Sequence, residues 1–204
     1  MKKALIITGG YINHEKINIE RSDFSLVIAA DSGYSAAKKL NITPDIVLGD
    51  FDSLNENLPS WAEIIKVPAE KDDTDTMLAC NTAIEHGADE LLILGGTGGR
   101  ADHFLANVFF LESLCDNGIK AVLTDGENTV RIIKDETLNV KNSNGYFSIF
   151  ALDECTVSLE GCKYPLFNCK LSRTNPFAVS NEVTNDFAVI TVRGKIIVCE
   201  SLKN

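Results

Sequence analysis

The chain has 204 residues, of which 45% are hydrophobic and 24% are charged, a composition typical of a folded protein whose core needs no disulfide. Its net charge of −10 argues against nucleic acid as a partner, because such binding depends on neutralising phosphates with Lys and Arg. Residues 151–204 hold six acidic and six basic side chains, so the excess acid lies in residues 1–150. Clustered carboxylates suit a site for divalent cations.

Cysteine usage and hydropathy both favour a cytoplasmic protein without a membrane segment. The six cysteines form no CxxC pair and lie mostly inside apolar stretches, which favours reduced core residues over a zinc site. The apolar run 4–7 ends at Thr8, Gly9 and Gly10, so it is too short for the core of a signal peptide. No other run is long enough to span a bilayer.

The first part of the chain alternates between apolar runs and helical patterns. The apolar runs are continuous, as expected for strands that are buried on both faces of a parallel sheet. They cover residues 3–8, 26–31, 45–50, 63–68, 90–95 and 120–125. Helical spacing covers residues 32–40, 74–87 and 101–118. This alternation predicts an α/β domain with a mostly parallel sheet over residues 1–126, with ligands at the carboxyl ends of its strands.

From about residue 126 the chain changes to short, β-branched segments that often alternate between apolar and polar residues. They cover residues 129–134, 137–141, 146–152, 155–160, 187–194 and 195–201. Turn residues separate these segments, and no window has convincing helical spacing. Residues 127–204 are therefore predicted to form a C-terminal all-β, sandwich-like domain of antiparallel strands.

Acidic residues follow the predicted strands of the first domain. They are Asp31 after the second strand, Asp50 and Asp52 after the third, Asp72, Asp73 and Asp75 after the fourth, and Asp102 after the fifth. Because parallel strands have their carboxyl ends at one edge of the sheet, these groups are expected to meet in one place. Crowded like charges need a cation to offset their repulsion, and Mg²⁺ prefers hard oxygen ligands that it shares with substrate phosphates.

Some of these polar residues have a simpler interpretation. Asp73, Thr74 and Asp102 stand where helices are predicted to begin, and capping the helix is the more frequent role of such residues. Asp50 and Asp52 follow a buried strand and have no helix start to cap. The cation site is therefore favoured for this pair.

A glycine loop, GGTGGR over residues 95–100, connects the fifth strand to a helix. Its backbone N–H groups suit an anion at the helix N-terminus, although glycine loops also form plain turns. The spacing matches neither a P-loop nor a dinucleotide-binding motif. Arg100 and Lys71 are the basic residues inside the acidic clusters, and both fit as partners for phosphate charge. A solvated surface charge is an equal alternative for Lys71.

Taken together, these motifs resemble the thiamine pyrophosphokinase family over nearly the whole chain. The stretches that carry the resemblance are DSGYSAAKKLNITPDIVLGDFDSL (31–54), KDDTDTMLA (71–79), GGTGGRADHFLAN (95–107), GCKYPLFN (161–168) and SNEV (180–183). The last two are similar to the thiamine-binding region of that family. The chain departs from the family at Ser32, where glycine is frequent, and at Val179, where a glycine often precedes the Ser-Asn pair.

The resemblance implies an enzyme that transfers the pyrophosphoryl group of ATP to the hydroxyl of thiamine, giving thiamine diphosphate and AMP. It also implies that residues 1–126 bind ATP and carry out catalysis, that residues 127–204 help to bind thiamine, and that the protein is a homodimer. Mg²⁺ on the phosphates would be the metal cofactor. Such transfer depends on charge neutralisation and alignment more than on covalent catalysis.

Site residues follow from the same resemblance. Those expected at the ATP phosphates and the metal ion are Asp31, Asp50, Asp52, Lys71, Asp72, Thr74, Asp75, Arg100 and Asp102. The expected Mg²⁺ ligands are Asp50, Asp52 and Asp75. Asp72 or Asp102 would accept the proton of the thiamine hydroxyl. Ser180 and Asn181 would bind thiamine, through their side chains or through the loop that they fix.

Two other interpretations of the motifs stay open. A pyrophosphokinase for another hydroxyalkyl heterocycle, such as a pterin, would keep the acidic and glycine motifs but would not need the segment around Ser180. A non-catalytic nucleotide sensor would not need carboxylates at so many strand ends. It would bind ATP without producing AMP.

Overall fold

The computed structural model describes residues 1–51, 58–68 and 73–203. The chain divides into two compact units, Met1–Gly126 and Glu127–Asn204. The first, called the α/β unit below, contains strands and helices, and the second, called the β unit, is built from strands. This confirms the predicted fold class.

The α/β unit alternates strands and helices in the predicted order. Its strands are β1 (Lys3–Ile7), β2 (Leu26–Ala30), β3 (Ile46–Gly49), β4 (Glu63–Lys66), β5 (Glu90–Leu94) and β6 (Lys120–Thr124). Its helices are α1 (Gly33–Lys39), α2 (Asp75–Glu85) and α3 (Ala101–Asp116), with a short 3-10 helix at Arg21–Asp23. Apart from that short helix, every element falls inside a window that the sequence predicts.

The strands of the α/β unit form a parallel sheet with the order β4-β3-β2-β1-β5-β6. The chain builds outward from β1 to β4 and then returns to the other side of β1 with β5. Where the strand order reverses in this way, the connections leave neighbouring strands in opposite directions and open a crevice at the carboxyl edge. The topology therefore indicates a ligand site at the ends of β1 and β5.

Burial agrees with the sequence for the central strands but not for β4. The residues of β1, β2 and β3 are almost entirely buried, whereas Glu63, Ile64 and Lys66 of β4 are exposed. The prediction that every apolar run is buried on both faces is wrong here. The physical reason is position, because β4 pairs with β3 on one side and ends the strand order of the described sheet.

Local sequence explains where two of the helices begin and end. The side-chain oxygen of Thr74 accepts a hydrogen bond from the backbone N–H of Met77 at 3.2 Å, which caps the first turn of α2. Gly87 and Gly118 follow α2 and α3 with φ of 86° and 77°. Glycine adopts this left-handed conformation without strain, so it ends a helix readily.

The β unit is a pair of antiparallel sheets. Its strands are β7 (Asn128–Lys134), β8 (Thr137–Lys141), β9 (Tyr146–Ala151), β10 (Cys155–Glu160), β11 (Leu166–Leu171), β12 (Phe187–Arg193) and β13 (Lys195–Ser201). The sheet orders are β7-β13-β9 and β11-β10-β12-β8. Phe147 and Ile196 of one sheet share a buried core with Val157 and Ile190 of the other, as in a sandwich.

Strand β11 is absent from the sequence prediction. Only its last residue, Leu171, is fully buried, so the segment lacks the regular alternation that marks a strand. Its pairing with β10 is also interrupted by an irregularity between Val157 and Leu159. An irregularity of this kind changes which side chains face the core. Apolar and polar residues then no longer alternate along the strand, and the sequence does not predict it.

No helix in the described ranges has both the length and the apolar character needed to cross a bilayer. The six cysteines are free thiols, and Cys80, Cys155 and Cys162 are buried. The burial of these three agrees with the prediction of core residues, whereas Cys115, Cys169 and Cys199 are half-buried.

Candidate active site

A cavity of about 500 Å³ lies at the carboxyl edge of the parallel sheet. It is lined by residues that follow β1, β2 and β5 and by the N-terminal ends of α2 and α3. The lining segments are 8–11, 30–32, 73–76, 95–96 and 98–100, with His103 and Asn107 from α3. The cavity therefore occupies the crevice that the strand order indicates.

The walls after β1 and β5 are made of main chain rather than side chain. A Cβ atom at Gly10 would lie 1.7 Å from the carbonyl oxygen of Gly95, and one at Gly9 would lie 1.8 Å from Oγ of Ser32. Gly95 itself has φ of 89°, which strains any other residue. A side chain at Gly10 would force the two loops apart, so glycine is required where they meet.

The ends of β2 and β3 bring Asp31 and Asp50 close together. Asp31 lines the cavity, and its backbone N–H donates to the carbonyl oxygen of Leu48 at 2.6 Å. A Cβ atom at Gly49 would lie 3.1 Å from Cα of Asp31, so the two strand ends are in contact. Asp50 follows Gly49 directly and is half-buried, beside the described lining rather than part of it.

The N-terminus of α2 contributes Asp73, Thr74 and Asp75 to the cavity lining. The alternative interpretation of Thr74 as a helix cap is confirmed, since its hydroxyl oxygen accepts from Met77. Asp75 lies in the first turn of the same helix, where a negative charge interacts favourably with the helix dipole. The cap and the acid are thus built by the same short motif.

At the N-terminus of α3, Arg100 lines the cavity and holds Asp102. The guanidinium donates from Nε to Oδ1 at 3.1 Å and from Nη2 to Oδ2 at 2.5 Å, and both side chains are mostly exposed. The hydrogen bond from Arg100 lowers the pKa of Asp102 to about 2. A carboxyl group with so low a pKa is a poor proton acceptor near neutral pH.

Three expected site residues, Asp52, Lys71 and Asp72, lie outside the described residues. Within the described ranges, no group of three or more His, Cys, Asp or Glu side chains is arranged to hold a metal ion. The acidic donor set is therefore described only in part, through Asp31, Asp50 and Asp75.

In the β unit, Asn181 is 4% exposed and bonds to two other segments of the chain. Its backbone pairs with Phe147 in both directions, at 2.8 and 2.9 Å. Its Oδ1 accepts from the N–H groups of Tyr164 at 3.0 Å and Glu182 at 2.9 Å. Its Nδ2 donates to the carbonyl of Tyr164 at 2.8 Å and to Sγ of Cys162 at 3.4 Å. A carboxamide has two donors and two acceptor positions, so these contacts use its full capacity.

Ser180, by contrast, is exposed and has φ of 56°. Its N–H donates to Oγ of Ser148 at 3.0 Å. The left-handed residue of this loop is therefore Ser180 rather than Val179, which explains how the chain tolerates valine where the family often has glycine. A small apolar pocket of about 100 Å³ adjoins Asn181. Its lining residues are Leu159, Tyr164, Leu166, Phe177, Ala178, Val179 and Asn181.

Family models match both units of the chain. Residues 19–123 match the thiamin pyrophosphokinase catalytic domain, and residues 127–197 match the thiamin pyrophosphokinase vitamin B1 binding domain. The chain belongs to the thiamin pyrophosphokinase family. The first match includes most of the cavity lining, and the second includes the loop around Asn181.

Individual relatives in this family agree with the assignment. The chain is 33% identical to the thiamine pyrophosphokinase of Bacillus subtilis over 193 residues, covering 90% of each chain. A crystal structure of a thiamine pyrophosphokinase from the same organism superposes with a TM-score of 0.86 at 28% identity over the full length of both chains. The thiamin pyrophosphokinase of Candida albicans, at 14% identity, shares the fold with a TM-score of 0.79 over 98% of this chain and 90% of that one.

Part of the cavity lining, the loop 8–11 and Asn107, was not expected from the sequence. The Thr-Gly-Gly sequence after a buried strand is a signal for close backbone approach that was available. Asn107 is buried, and its Nδ2 donates to the carbonyl oxygen of Gly96 at 3.0 Å. A single asparagine inside an apolar helical stretch was the corresponding signal.

Proposed function

We propose that this chain is a thiamine pyrophosphokinase, which transfers the pyrophosphoryl group of ATP to the hydroxyl of thiamine. The observation that carries the proposal is the cavity of the α/β unit. Asp31, Asp75, Arg100 and glycine backbone meet there, within the part of the chain that matches the family's catalytic domain. The match of the β unit to a vitamin B1 binding domain supports thiamine as the acceptor.

The glycine loop supplies the phosphate side of the cavity. Gly98 and Gly99 line it, and their N–H groups donate no hydrogen bond to any residue that the structure describes. They precede the 16-residue helix α3, whose N-terminus carries partial positive charge. Arg100 adds paired donors at the same place, which suit phosphate oxygens. Lys71 would add a second cation.

Mg²⁺ fits the donor set, and we include it in the proposal. This ion needs only one or two protein carboxylates, because phosphates and water complete its octahedral shell. Asp50, Asp52 and Asp75 would hold it, with Asp31 at the adjacent strand end. When bound, it would neutralise charge on the phosphate oxygens.

In the proposed reaction, the thiamine hydroxyl attacks the β-phosphorus of ATP. The bond from that phosphorus to the oxygen bridging it to the α-phosphate breaks, and AMP leaves with this oxygen. A carboxylate accepts the hydroxyl proton. Asp102 is a poor acceptor because Arg100 lowers its pKa, so Asp72 is the proposed base. Asp102 would instead orient the guanidinium of Arg100 and so assist ATP binding.

The loop at Ser180 and Asn181 would help to bind thiamine. Because the carboxamide of Asn181 is fully engaged within the protein, its proposed role is to fix this loop rather than to contact the ligand. Phe177 lines the neighbouring pocket, and its aromatic ring would suit a heteroaromatic ligand such as thiamine, whereas the ammonium of Lys163 already lies over the Tyr164 ring, 5.6 Å from its centre.

We also propose that the protein is a cytoplasmic homodimer. Several large apolar side chains of the β unit are exposed, among them Tyr146, Phe167 and Phe187. Exposed apolar side chains of this size are typical of surfaces that another chain covers. The reduced cysteines agree with a reducing compartment.

The direct test is to incubate the protein with ATP, Mg²⁺ and thiamine and to separate the products by chromatography. We expect AMP and thiamine diphosphate in equal amounts. Asp50→Asn should lower turnover at least about a hundredfold, equivalent to about 2.7 kcal/mol of transition-state stabilisation. Asp153→Asn makes the same charge change at an exposed position of the β unit and serves as the control.

The other interpretations predict different results in this assay. A pyrophosphokinase for a pterin would release AMP only when the hydroxymethylpterin replaces thiamine. A nucleotide sensor would bind ATP and release no AMP with either acceptor. Either result would overturn the proposal.

A further inference from the structure

We propose that Thr97 and Asp125 are positioning residues that hold the glycine loop 95–99 in its phosphate-binding conformation. The inference rests on the proposed function, because it concerns the loop to which the ATP phosphates are assigned. Thr97 stands in the middle of GGTGG and is its one residue with a side chain beyond hydrogen. It is also the loop residue that does not line the described cavity.

The side chain of Thr97 is bound from outside the cavity. Its hydroxyl donates a hydrogen bond to Oδ2 of Asp125. Asp125 follows β6 directly and is 2% exposed. A buried carboxylate needs hydrogen bonds to replace water, and a hydroxyl that donates to a carboxylate is held more strongly than one that donates to a neutral group. This contact therefore fixes the centre of the loop.

The end of β6 holds both main-chain walls of the cavity. The carbonyl oxygen of Asp125 accepts from the N–H of Asn13 at 2.7 Å, just beyond the loop that follows β1. The carbonyl oxygen of Thr124 accepts from the N–H of Gly95 at 2.9 Å. Thr97 adds a side-chain link at the centre of the second loop, so this loop is held at its centre as well as at its start.

A link at this position matters because its neighbours are glycines. Glycine loses more conformational freedom on ordering than any other residue. Holding a loop with four glycines in one conformation therefore costs much conformational entropy. The N–H groups of Gly98 and Gly99 bind an anion well only if they already point into the cavity. Loss of the link should therefore weaken binding of ATP and leave binding of thiamine unchanged.

The test compares Thr97→Val, which removes the hydroxyl at equal size, with Thr97→Ser, which keeps it. Thr97→Val should raise the Kd and the KM for ATP at least about tenfold, as expected for a lost hydrogen bond to a charged group. The KM for thiamine should not change, and Thr97→Ser should stay within about threefold of wild type. Thr137→Val is the matched control, because it removes a hydroxyl that contacts Thr191 in the β unit.

Hydrogen exchange of the peptide that covers 95–100 provides a readout that needs no turnover. Thr97→Val should speed exchange there and leave the α3 peptides unchanged. If the wild-type protein has no pyrophosphokinase activity, the proposed function is wrong. The exchange measurement would still test whether the hydrogen bond from Thr97 to Asp125 holds the loop. Unchanged exchange of this peptide in Thr97→Val would overturn the inference, and so would an unchanged affinity for ATP. An equally large loss of ATP affinity in Thr97→Ser would overturn it as well.

Discussion

Asn181→Ala tests how the β unit is held together. The buried carboxamide links the segment around Tyr164 to the loop that begins at Ser180. Truncation leaves the N–H groups of Tyr164 and Glu182 without their acceptor and the carbonyl of Tyr164 without its donor. The fold of this loop should therefore lose stability, whatever the ligand.

The magnitude follows from the groups left unpaired. Each buried polar group without a partner costs about 1–3 kcal/mol. The hydrogen bonds between Tyr164 and Asn181 are only partly buried, so the lower end of this range applies. Summed over the two N–H groups and the carbonyl that Asn181 binds, the free energy of unfolding should fall by about 3 kcal/mol. For chains of about 150–250 residues each kcal/mol shifts the unfolding midpoint by about 2–4 °C, so we expect a fall of about 6–12 °C.

Thermal unfolding followed by circular dichroism is the assay, with urea unfolding as a check on the free energy. Asn175→Ala is the matched control, because Asn175 is exposed and its side chain forms no hydrogen bond with a described residue. Its free energy of unfolding should change by less than about 0.5 kcal/mol. An unchanged midpoint in Asn181→Ala would refute the reasoning. Weaker thiamine binding at an unchanged midpoint would instead assign the carboxamide to the ligand.

The remaining predictions concern charge and burial. Arg100→Lys should lower kcat/KM about tenfold to a hundredfold with every acceptor, because an ammonium group cannot reproduce the paired donors; full activity would make Arg100 a surface charge. Lys163 and Lys203 hold the pKa of Glu182 at about 2, so its contribution to stability should be complete above about pH 5 and lost as the pH falls toward 2. Melting curves of Glu182→Gln and wild type should therefore differ near pH 7 and converge near pH 2, and a constant difference would contradict this. Burial raises the pKa of Cys80 to about 12, so this thiol should resist a maleimide in the folded protein at pH 7 and react only after unfolding, as mass spectrometry of the labelled peptides would show.

The order of strands and helices in the α/β unit was predictable from the sequence because each element carries its own signal. Continuous apolar runs mark the central strands, and Gly87 and Gly118 mark helix ends. The convergence of Asp31 and Asp75 on one cavity also followed, since it depends only on the direction of parallel strands.

Side-chain partners were not predictable in the same way. Nothing in the sequence tells that Asp102 binds Arg100 two residues away, or that Asn181 serves Tyr164 seventeen residues earlier. Both side chains have polar groups that could bind a ligand. Only the structure shows that these groups form hydrogen bonds within the protein instead. Strand β11 was missed for a related reason, because its irregular pairing with β10 removes the alternation that sequence analysis detects.

The contact between Gly10 and Gly95 limits how this cavity can change in evolution or in the laboratory. Where the two loops meet, the walls are peptide groups, and a side chain at Gly10 or Gly95 could not be added without separating the loops. Variation must act at the lining positions that already carry side chains, among them Tyr11, Thr76 and His103. A library intended to alter nucleotide preference should therefore randomise these three positions. An inhibitor that bonds mainly to the inner peptide groups should meet few viable resistance mutations.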